Sequence, residues 1–342
     1  FPTRRSSDLI LLAGDVYDRS VPPAEAVELF DEMISEITGK RKIPFIVISG
    51  NHDSAERLSF ASRILRGTGL FLCGDLYHTL EPVVLKDDDG EVAFAPLPYA
   101  EPGKVREALS ADVHTHEEAE RVLSDFLLRQ IGHAARKVAI AHEFVAGGSA
   151  SDSERPPSLG WTDPILAPIL APHNLTPLGH LHGPQQAGVK ENVRYSGSLL
   201  KYSFSEATQK KGVIVGEIDG AGQVKTTFIS LSPRHDVRII KGFFDDLIKG
   251  ESEDFLMAEL LDEGPVIDAM ARLRQKYPRM MTIQSHRRMN SGSGERSFDL
   301  MKKVDPLDMF RVFYKEFQDK EFTEEEENYM KELWEDLRKE DD

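Results

Sequence analysis

Cysteine is nearly absent from this sequence, because Cys73 is the single cysteine among 342 residues. A lone cysteine excludes an intramolecular disulfide framework and also a zinc site built from several thiolates. No stretch approaches the ~20 uncharged apolar residues that a membrane-spanning helix needs, so we expect no integral membrane protein. Hydrophobic residues make up 40% of the chain, enough for a sizeable core, which excludes a disordered or collagen-like protein. The length predicts roughly two globular domains.

Basic residues are in the minority, with 42 Lys and Arg against 58 Asp and Glu and a formal net charge of −16. Proteins that coat nucleic acid rely on clustered basic residues, so this balance argues weakly against that class. Residues 315–342 alone contain 13 acidic and 5 basic residues, which accounts for half of the net negative charge of the chain. The composition therefore does not exclude a basic groove elsewhere in the chain.

The first eight residues, Phe1-Pro-Thr-Arg-Arg-Ser-Ser-Asp8, match the translation of a common sequencing adapter. We interpret residues 1–8 as foreign sequence and leave them out of the fold prediction. A flexible basic arm is the alternative interpretation. The predicted native domain then starts at Leu9.

Apolar runs of four to seven residues alternate with longer amphipathic stretches, which is typical of an α/β fold. Strands are predicted at 9–13 and 43–48, with a helix at 23–38 between them. A second helix is predicted at 54–66, with Ser54 as its N-cap. Later elements are a helix at 117–132 and strands at 92–94, 137–141, 176–178, 193–196 and 212–218.

The alternation restarts after Pro233. Strands at 237–240, 255–261 and 280–285, with helices at 243–249 and 265–277 between them, predict a small second domain. A Ser- and Gly-rich stretch that begins at residue 290 is typical of a flexible linker, and two capped amphipathic helices are predicted after it. The predicted division is a main domain at 9–232, a small α+β domain at 233–289, a linker at 290–304 and a helical hairpin at 305–342.

Four of the predicted strands end in side chains that can bind metal ions: Asp15, Asn51, His52, His142, His180 and His182. In open α/β sheets, ligands bind beyond the carboxyl ends of the strands, so we expect these side chains to converge. Carboxylate, amide and imidazole donors suit Mn, Fe, Zn or similar divalent ions. Such a set is what a two-metal hydrolase requires, with paired ions that clamp the attacking and leaving oxygens of a phosphoryl group.

The sequence resembles the signature of the calcineurin-like metallophosphoesterases in four segments: Gly14-Asp15-Val-Tyr-Asp18, Gly50-Asn51-His52-Asp53, Ala141-His142 and Gly179-His180-Leu-His182. It is similar to the SbcD family of bacterial nuclease subunits in three flanking segments, at 151–155, 194–198 and 201–206. The resemblance implies a four-layer α/β/β/α sandwich, a small α+β capping domain at 233–289 and the C-terminal helical hairpin.

The same resemblance implies a role for each candidate ligand. Asp15 would bridge two divalent metal ions, which the family resemblance suggests are Mn. Asn51, His142 and His180 would complete one site, and His182 would belong to the other.

Two further residues receive catalytic roles from the resemblance. His52 would be a non-ligand histidine that stabilises the leaving group, and Asp18 would orient it. An imidazole that is held by a carboxylate is a good general acid near neutral pH, which supports this assignment.

The sequence departs from the family pattern in one respect. These enzymes carry an Asp-x-His pair on the first strand, and no such pair precedes Asp15 here. The adapter-like residues stand where that pair is expected, so we expect that native sequence was lost. One metal would keep four protein ligands and the other only two, and we expect an impaired enzyme.

The resemblance implies a metal-dependent exonuclease and endonuclease that acts on DNA ends and hairpins in recombination, replication and repair. The implied assembly is cytoplasmic, with a homodimer of this chain in a heterotetramer with an SMC-like ATPase of the SbcC type, docked through 305–342. The sequence contains no Gly-x-x-x-x-Gly-Lys-[Ser/Thr] loop, so ATP binding would belong to that partner. Two alternatives stay open: another phosphoesterase of the same superfamily, or a non-catalytic DNA-end scaffold.

Overall fold

The computed structural model describes residues 7–154, 164–188, 192–262 and 264–285, together with four positions near the C-terminus, which are Thr323, Glu326, Tyr329 and Met330. The chain divides into two compact units, Phe1–Ile239 with Glu253–Phe255, and Ile240–Ser252 with Leu256–Asp342. The predicted linker at 290–304 lies outside the described residues, as does the predicted hairpin at 305–342 apart from those four positions.

The predicted capping box near the C-terminus is confirmed. The backbone N–H of Thr323 donates to Oε2 of Glu326 over 2.9 Å, and the backbone N–H of Glu326 donates to Oγ1 of Thr323 over 3.3 Å. This reciprocal pair satisfies two N–H groups at the start of a helix.

Fourteen strands and seven α-helices occur among the described residues. The strands are β1 Ile10–Ala13, β2 Phe45–Ile48, β3 Leu70–Cys73, β4 Val83–Asp87, β5 Gly90–Leu97, β6 Lys137–His142, β7 Thr176–Gly179, β8 Gln185–Gln186, β9 Val193–Tyr195, β10 Gly212–Ile218, β11 Val224–Ser230, β12 Val237–Gly242, β13 Phe255–Leu260 and β14 Met280–Ser285. The helices are α1 Ala24–Ile34, α2 Ala55–Leu58, α3 Ser62–Leu65, α4 Pro102–Leu109, α5 His116–Ile131, α6 Phe244–Leu247 and α7 Ala269–Arg274. In this described part of the chain, every helix is too short or too polar to cross a membrane.

Two sheets of the first unit pack face to face. Strands β1, β2 and β3 form one parallel sheet. The other sheet has the order β4-β5-β6-β7-β9-β8, with parallel pairing from β5 to β9 and antiparallel pairing at both edges. Ile46 and Ile48 of β2 share a buried cluster with Phe94, Val138 and Ile140 of the second sheet. This apolar cluster is the interface between the sheets.

Helices cover the two outer faces of these sheets. Phe45 and Val47 alternate along β2 with the residues of the sheet interface, because successive side chains of a strand point to opposite faces. Both share a cluster with Ile34 of α1. On the second sheet, Leu123 and Leu127 of α5 belong to the outer cluster. The result is the α/β/β/α sandwich that the family resemblance implied.

The prediction of one continuous helix at 54–66 is wrong, because the structure interrupts it at its centre. Ser54 caps α2 as predicted, but Ala61 has a φ of 58° in the left-handed region, which separates α2 from α3. The break leaves Ser59 at the end of α2, where its hydroxyl accepts hydrogen bonds from the backbone N–H groups of Gly74 and Asp75. The interrupted helix therefore holds the turn that follows β3.

The second unit has its own apolar core. Strands β12, β13 and β14 form a three-stranded sheet in that order, with β13 and β14 parallel. Phe244 of α6, Leu273 of α7 and Leu256 of β13 belong to one buried cluster. The predicted alternation of strands and helices is confirmed, although α6 and α7 are both shorter than the helices predicted at 243–249 and 265–277.

Candidate metal centre

Side chains at the carboxyl ends of strands from both sheets meet at one point. Nδ1 of His142, at the end of β6, lies 2.8 Å from the carbonyl oxygen of Ala13 at the end of β1. The imidazole is fully buried. Since a carbonyl oxygen can only accept, Nδ1 of His142 donates, and this hydrogen bond joins the two sheets.

The structure brings together four of the predicted ligands. Nε2 of His142 lies 3.0 Å from Oδ1 of Asn51 and 3.3 Å from Oδ2 of Asp15. Nδ1 of His180 lies 3.2 Å from the same Asn51 oxygen. Ligand atoms of Asp15, His142 and His180 all lie within 4.8 Å of one another.

The donor set of this cluster fits a divalent cation. The carboxylate of Asp15 and Oδ1 of Asn51 carry only lone pairs, and both face Nε2 of His142. Because Nδ1 of His142 carries the proton that it donates to Ala13, a neutral ring presents its Nε2 lone pair to the same point. Oxygen and imidazole lone pairs that are directed at one point repel one another unless a proton or a cation lies between them, and these ligand types suit Mn or Zn.

Asp15 and His142 interact strongly, and each shifts the pKa of the other. Burial alone would raise the pKa of Asp15, yet the charge and hydrogen bond of His142 hold it below its usual range. Burial disfavours charge on His142, but the Asp15 carboxylate holds its pKa above the usual value. Burial and the neighbouring His142 lower the pKa of His180 to about 4. His180 is therefore neutral at pH 7, which is the form that binds metals.

The backbone turns sharply at two of these ligands. Asp15 has a φ of 49° and His180 a φ of 96°, both in the region that side chains rarely adopt. Such conformations cost about 1–3 kcal/mol each and occur preferentially at functional sites. The surrounding sheets hold both residues in this conformation.

Gly179 has no room for a side chain between the sheets. A Cβ there would lie 1.7 Å from the carbonyl oxygen of Ala13 and 2.7 Å from Nδ1 of His142. We expect Gly179→Ala to lower the free energy of unfolding by roughly 1–3 kcal/mol or more, because overpacking forces the backbone to shift. Urea denaturation would measure this change.

Gly39→Ala is the matched control for this prediction. No atom lies within 4 Å of a Cβ at Gly39, and its position is exposed. We expect unchanged or slightly higher stability, because alanine restricts the unfolded chain. Equal stability of Gly179→Ala and the wild type would contradict the packing described here.

His52 lies beside the cluster without joining its ligand atoms. Its backbone N–H donates to Oδ1 of Asp15 over 3.1 Å. Its Nδ1 lies 2.8 Å from the main-chain carbonyl oxygen of Asp18, whereas the Asp18 carboxylate is exposed next to Arg19. Residue 18 thus contacts His52 through its backbone and not through its carboxylate. Any residue at position 18 has a main-chain carbonyl that can make this contact, so the residue type at that position could not predict it.

Asp53 has a structural role that the sequence did not reveal. Its carboxylate accepts hydrogen bonds from the backbone N–H groups of Val16, Tyr17 and Gly50 over 2.8–3.1 Å. It therefore ties the turn after β1 to the turn after β2. Aspartate is common in turns, but nothing in the local sequence pairs Asp53 with the turn after β1.

His182 is held in a separate network. Its Nδ1 lies 2.9 Å from both Oε1 of Glu206 and Oγ of Ser153. Burial alone would raise the pKa of Glu206, but hydrogen bonds from His182, Lys211 and Ser153 hold it below its usual range. Glu206 follows His182 by 24 positions and lies in a short 3₁₀ turn. It belongs to the segment 201–206 that is similar to the SbcD family, but that similarity assigned it no role.

Comparisons with known proteins agree with the geometry. The family model of the calcineurin-like phosphoesterases matches residues 2–184, and the type 5 capsule protein repressor C-terminal domain matches residues 233–317. A curated relative, the SbcD subunit of the SbcCD nuclease of Staphylococcus epidermidis, is 30% identical over 336 residues, which cover 96% of this chain and 88% of the relative. The resemblance found in the sequence is confirmed. This chain belongs to the calcineurin-like phosphoesterase family and, within it, to the SbcD family of nuclease subunits.

Proposed function

We propose that this chain hydrolyses DNA phosphodiester bonds in a metal-dependent reaction, as the nuclease subunit of an SbcCD-type complex. The observation that carries the proposal is the meeting of Asp15, Asn51, His142 and His180 at the strand ends of both sheets. Family membership supports a phosphoesterase, and the name of the relative supports a nuclease. Exonuclease and endonuclease action on DNA ends and hairpins belongs to the same proposal.

The proposed reaction assigns separate tasks to the residues of the site. Asp15, Asn51, His142 and His180 would hold one divalent ion, and Asp15 with His182 would hold a second. Bound divalent ions at such a centre supply Lewis-acid stabilisation of charge on the phosphoryl group.

His52 would transfer the proton that the leaving oxygen needs. Its Nδ1–H is anchored on the carbonyl of Asp18, which leaves Nε2 to carry the transferred proton. A positioned imidazole is an effective general acid near neutral pH. The backbone N–H of His52 also donates to Asp15, so the proposed general acid is held next to a residue that would bind metal.

Hydrolysis assays with three substrates test the proposed function. Linear duplex DNA, hairpin DNA and a small phosphomonoester would each be incubated with the chain and Mn²⁺, and again with a chelator. We expect cleavage of both DNA substrates that the chelator abolishes. Hydrolysis of the phosphomonoester alone would favour another phosphoesterase activity, and DNA binding without cleavage would favour a scaffold.

The two metal sites should differ in affinity. We propose Mn as the metal, with four protein ligands at one site and only Asp15 and His182 at the other. Titration calorimetry of Mn²⁺ into the metal-free chain should therefore show one tight and one much weaker binding event. Two equivalent tight sites would contradict the ligand assignment.

Residues 305–342 are the proposed docking element for an SMC-like ATPase, in a cytoplasmic heterotetramer that contains a homodimer of this chain. The sequence places apolar side chains on one face of each predicted helix there, including Phe313 and Trp334. Burial of such side chains is worth about 1.5–3 kcal/mol each. Phe313→Ala with Trp334→Ala should abolish co-purification with the ATPase while Mn²⁺ binding persists. Retained co-purification would show that docking occurs elsewhere.

A further inference from the structure

A buried ion pair stands behind His182. The side chain of Glu206 is fully buried and that of Lys211 is 3% exposed, and Nζ of Lys211 lies 2.7 Å from Oε2 of Glu206. Removing two charges from water is costly, and an apolar pair of similar volume is often as stable or more stable. Stability alone therefore explains poorly why a charged pair is buried here, and the other contacts of Glu206 and Lys211 indicate a further role.

Both members of the pair hold His182. Oε1 of Glu206 lies 2.9 Å from Nδ1 of the His182 ring and also accepts a hydrogen bond from the hydroxyl of Ser153. Nζ of Lys211 donates to the main-chain carbonyl oxygen of His182 over 2.7 Å and to Oγ of Ser198 over 2.9 Å. The ring and the backbone of His182 are thus held by opposite ends of one ion pair.

These contacts determine which ring nitrogen carries the proton. A carboxylate oxygen can only accept, so the proton lies on Nδ1 of His182. A neutral ring then has its lone pair on Nε2, on the side away from Glu206. Histidine ligands of metal ions commonly donate their other N–H to a carboxylate, which orients the ring and raises its basicity.

We propose that Glu206, with Lys211 as its counter-ion, is a positioning residue that fixes the tautomer and ring orientation of His182 for divalent-ion binding through Nε2. The inference rests on the proposed function in one respect, which is that His182 is a metal ligand. It identifies the part of the chain that prepares the site with the fewest protein ligands.

A second lysine–carboxylate pair in the same unit provides a matched control. Nζ of Lys201 lies 3.0 Å from Oδ1 of Asp236 and also donates to the carbonyl oxygens of Ala207 and Val237. These contacts include none of the candidate ligands. Asp236→Asn therefore removes a paired carboxylate without touching His182.

The tautomer of His182 can be measured in the unmodified chain. Nitrogen-15 labelling of histidine and long-range proton–nitrogen correlation spectra distinguish a protonated Nδ1 from a protonated Nε2, and His182→Gln assigns the signals. In the metal-free chain at mildly alkaline pH we expect His182 to carry its proton on Nδ1. A proton on Nε2, or an even mixture of the two tautomers, would overturn the proposal.

Zn²⁺ is a diamagnetic probe of the same site. The Nε2 signal of His182 should shift on titration with Zn²⁺, and Glu206→Gln should raise the midpoint of that shift by about 10–100-fold. The His142 signal should keep its midpoint in that variant, and Asp236→Asn should change neither signal. An unchanged His182 midpoint in Glu206→Gln would overturn the proposal.

A double variant covers the case in which Glu206→Gln fails to fold. Glu206→Gln with Lys211→Met removes both charges and leaves no unpaired buried ammonium, and it should show the same rise in the midpoint of the His182 shift with Zn²⁺. Neither measurement uses DNA. A fixed tautomer and a raised midpoint, without DNA cleavage by the wild-type chain, would defeat only the proposed function. DNA cleavage by the wild-type chain, together with an unchanged His182 midpoint in Glu206→Gln, would defeat only this inference.

Discussion

Asp15→Asn should abolish metal-dependent DNA hydrolysis. The substitution keeps the shape of the side chain but removes the charge of the one ligand that both proposed metal sites share. Metal ions at a phosphoryl centre contribute several kcal/mol to transition-state stabilisation, and each ~1.4 kcal/mol is tenfold in rate, so the loss should be on the order of a thousandfold or more. Single-turnover rates on duplex DNA with Mn²⁺ would measure it.

Asp89→Asn is the control for this variant. Asp89 is exposed at the turn between β4 and β5, so removal of its charge should leave both metal affinity and turnover unchanged. A retained rate in Asp15→Asn would show that the chemistry lies outside this cluster.

In a chain with the Asp-x-His segment restored, His52→Ala should lower turnover by about 10²–10⁴-fold, the usual contribution of a general acid. Affinity for Mn²⁺ should change little, because neither ring nitrogen of His52 lies among the ligand atoms of the cluster. Turnover on duplex DNA and calorimetric Mn²⁺ titration, performed on the same preparation, separate the two effects. Loss of metal in proportion to loss of turnover would instead make His52 a ligand.

Two further variants locate the orienting contact of His52. Since the carbonyl of Asp18 and not its carboxylate contacts Nδ1, Asp18→Ala should keep most of the turnover. His114→Ala is the surface control, because the His114 side chain is 72% exposed beside Asp112. A turnover loss in Asp18→Ala as large as that in His52→Ala would restore a role for the carboxylate.

Patterns of residue type predicted an α/β fold and a set of candidate ligands, and the family resemblance added the four layers. The alternation in Phe45–Ile48 places two residues on the sheet interface and two on the helix face, as a period of two requires. Asp15, Asn51, His142 and His180 converge because parallel strands end at one edge of each sheet. These features follow from local sequence and from rules that hold for every α/β sandwich.

Other features had no local signal. Strand β3, like β2, is a run of four buried apolar residues, and periodicity alone cannot distinguish such a run from a buried turn of helix. The break at Ala61 accompanies a tertiary contact, in which Ser59 binds the turn after β3. Glu206 reaches His182 only in three dimensions. Contacts between residues that are distant in the sequence decided each of these cases, and local patterns of residue type do not reveal such contacts.

Anomalous diffraction from crystals grown with Mn²⁺ is the most direct test of whether Asp15, Asn51, His142 and His180 hold a divalent ion. We expect the strongest anomalous peak at the point where these four side chains meet, with a weaker peak on the Nε2 side of His182. A strongest peak elsewhere, or no peak among the four side chains at a Mn²⁺ concentration that supports hydrolysis, would contradict the proposed metal centre.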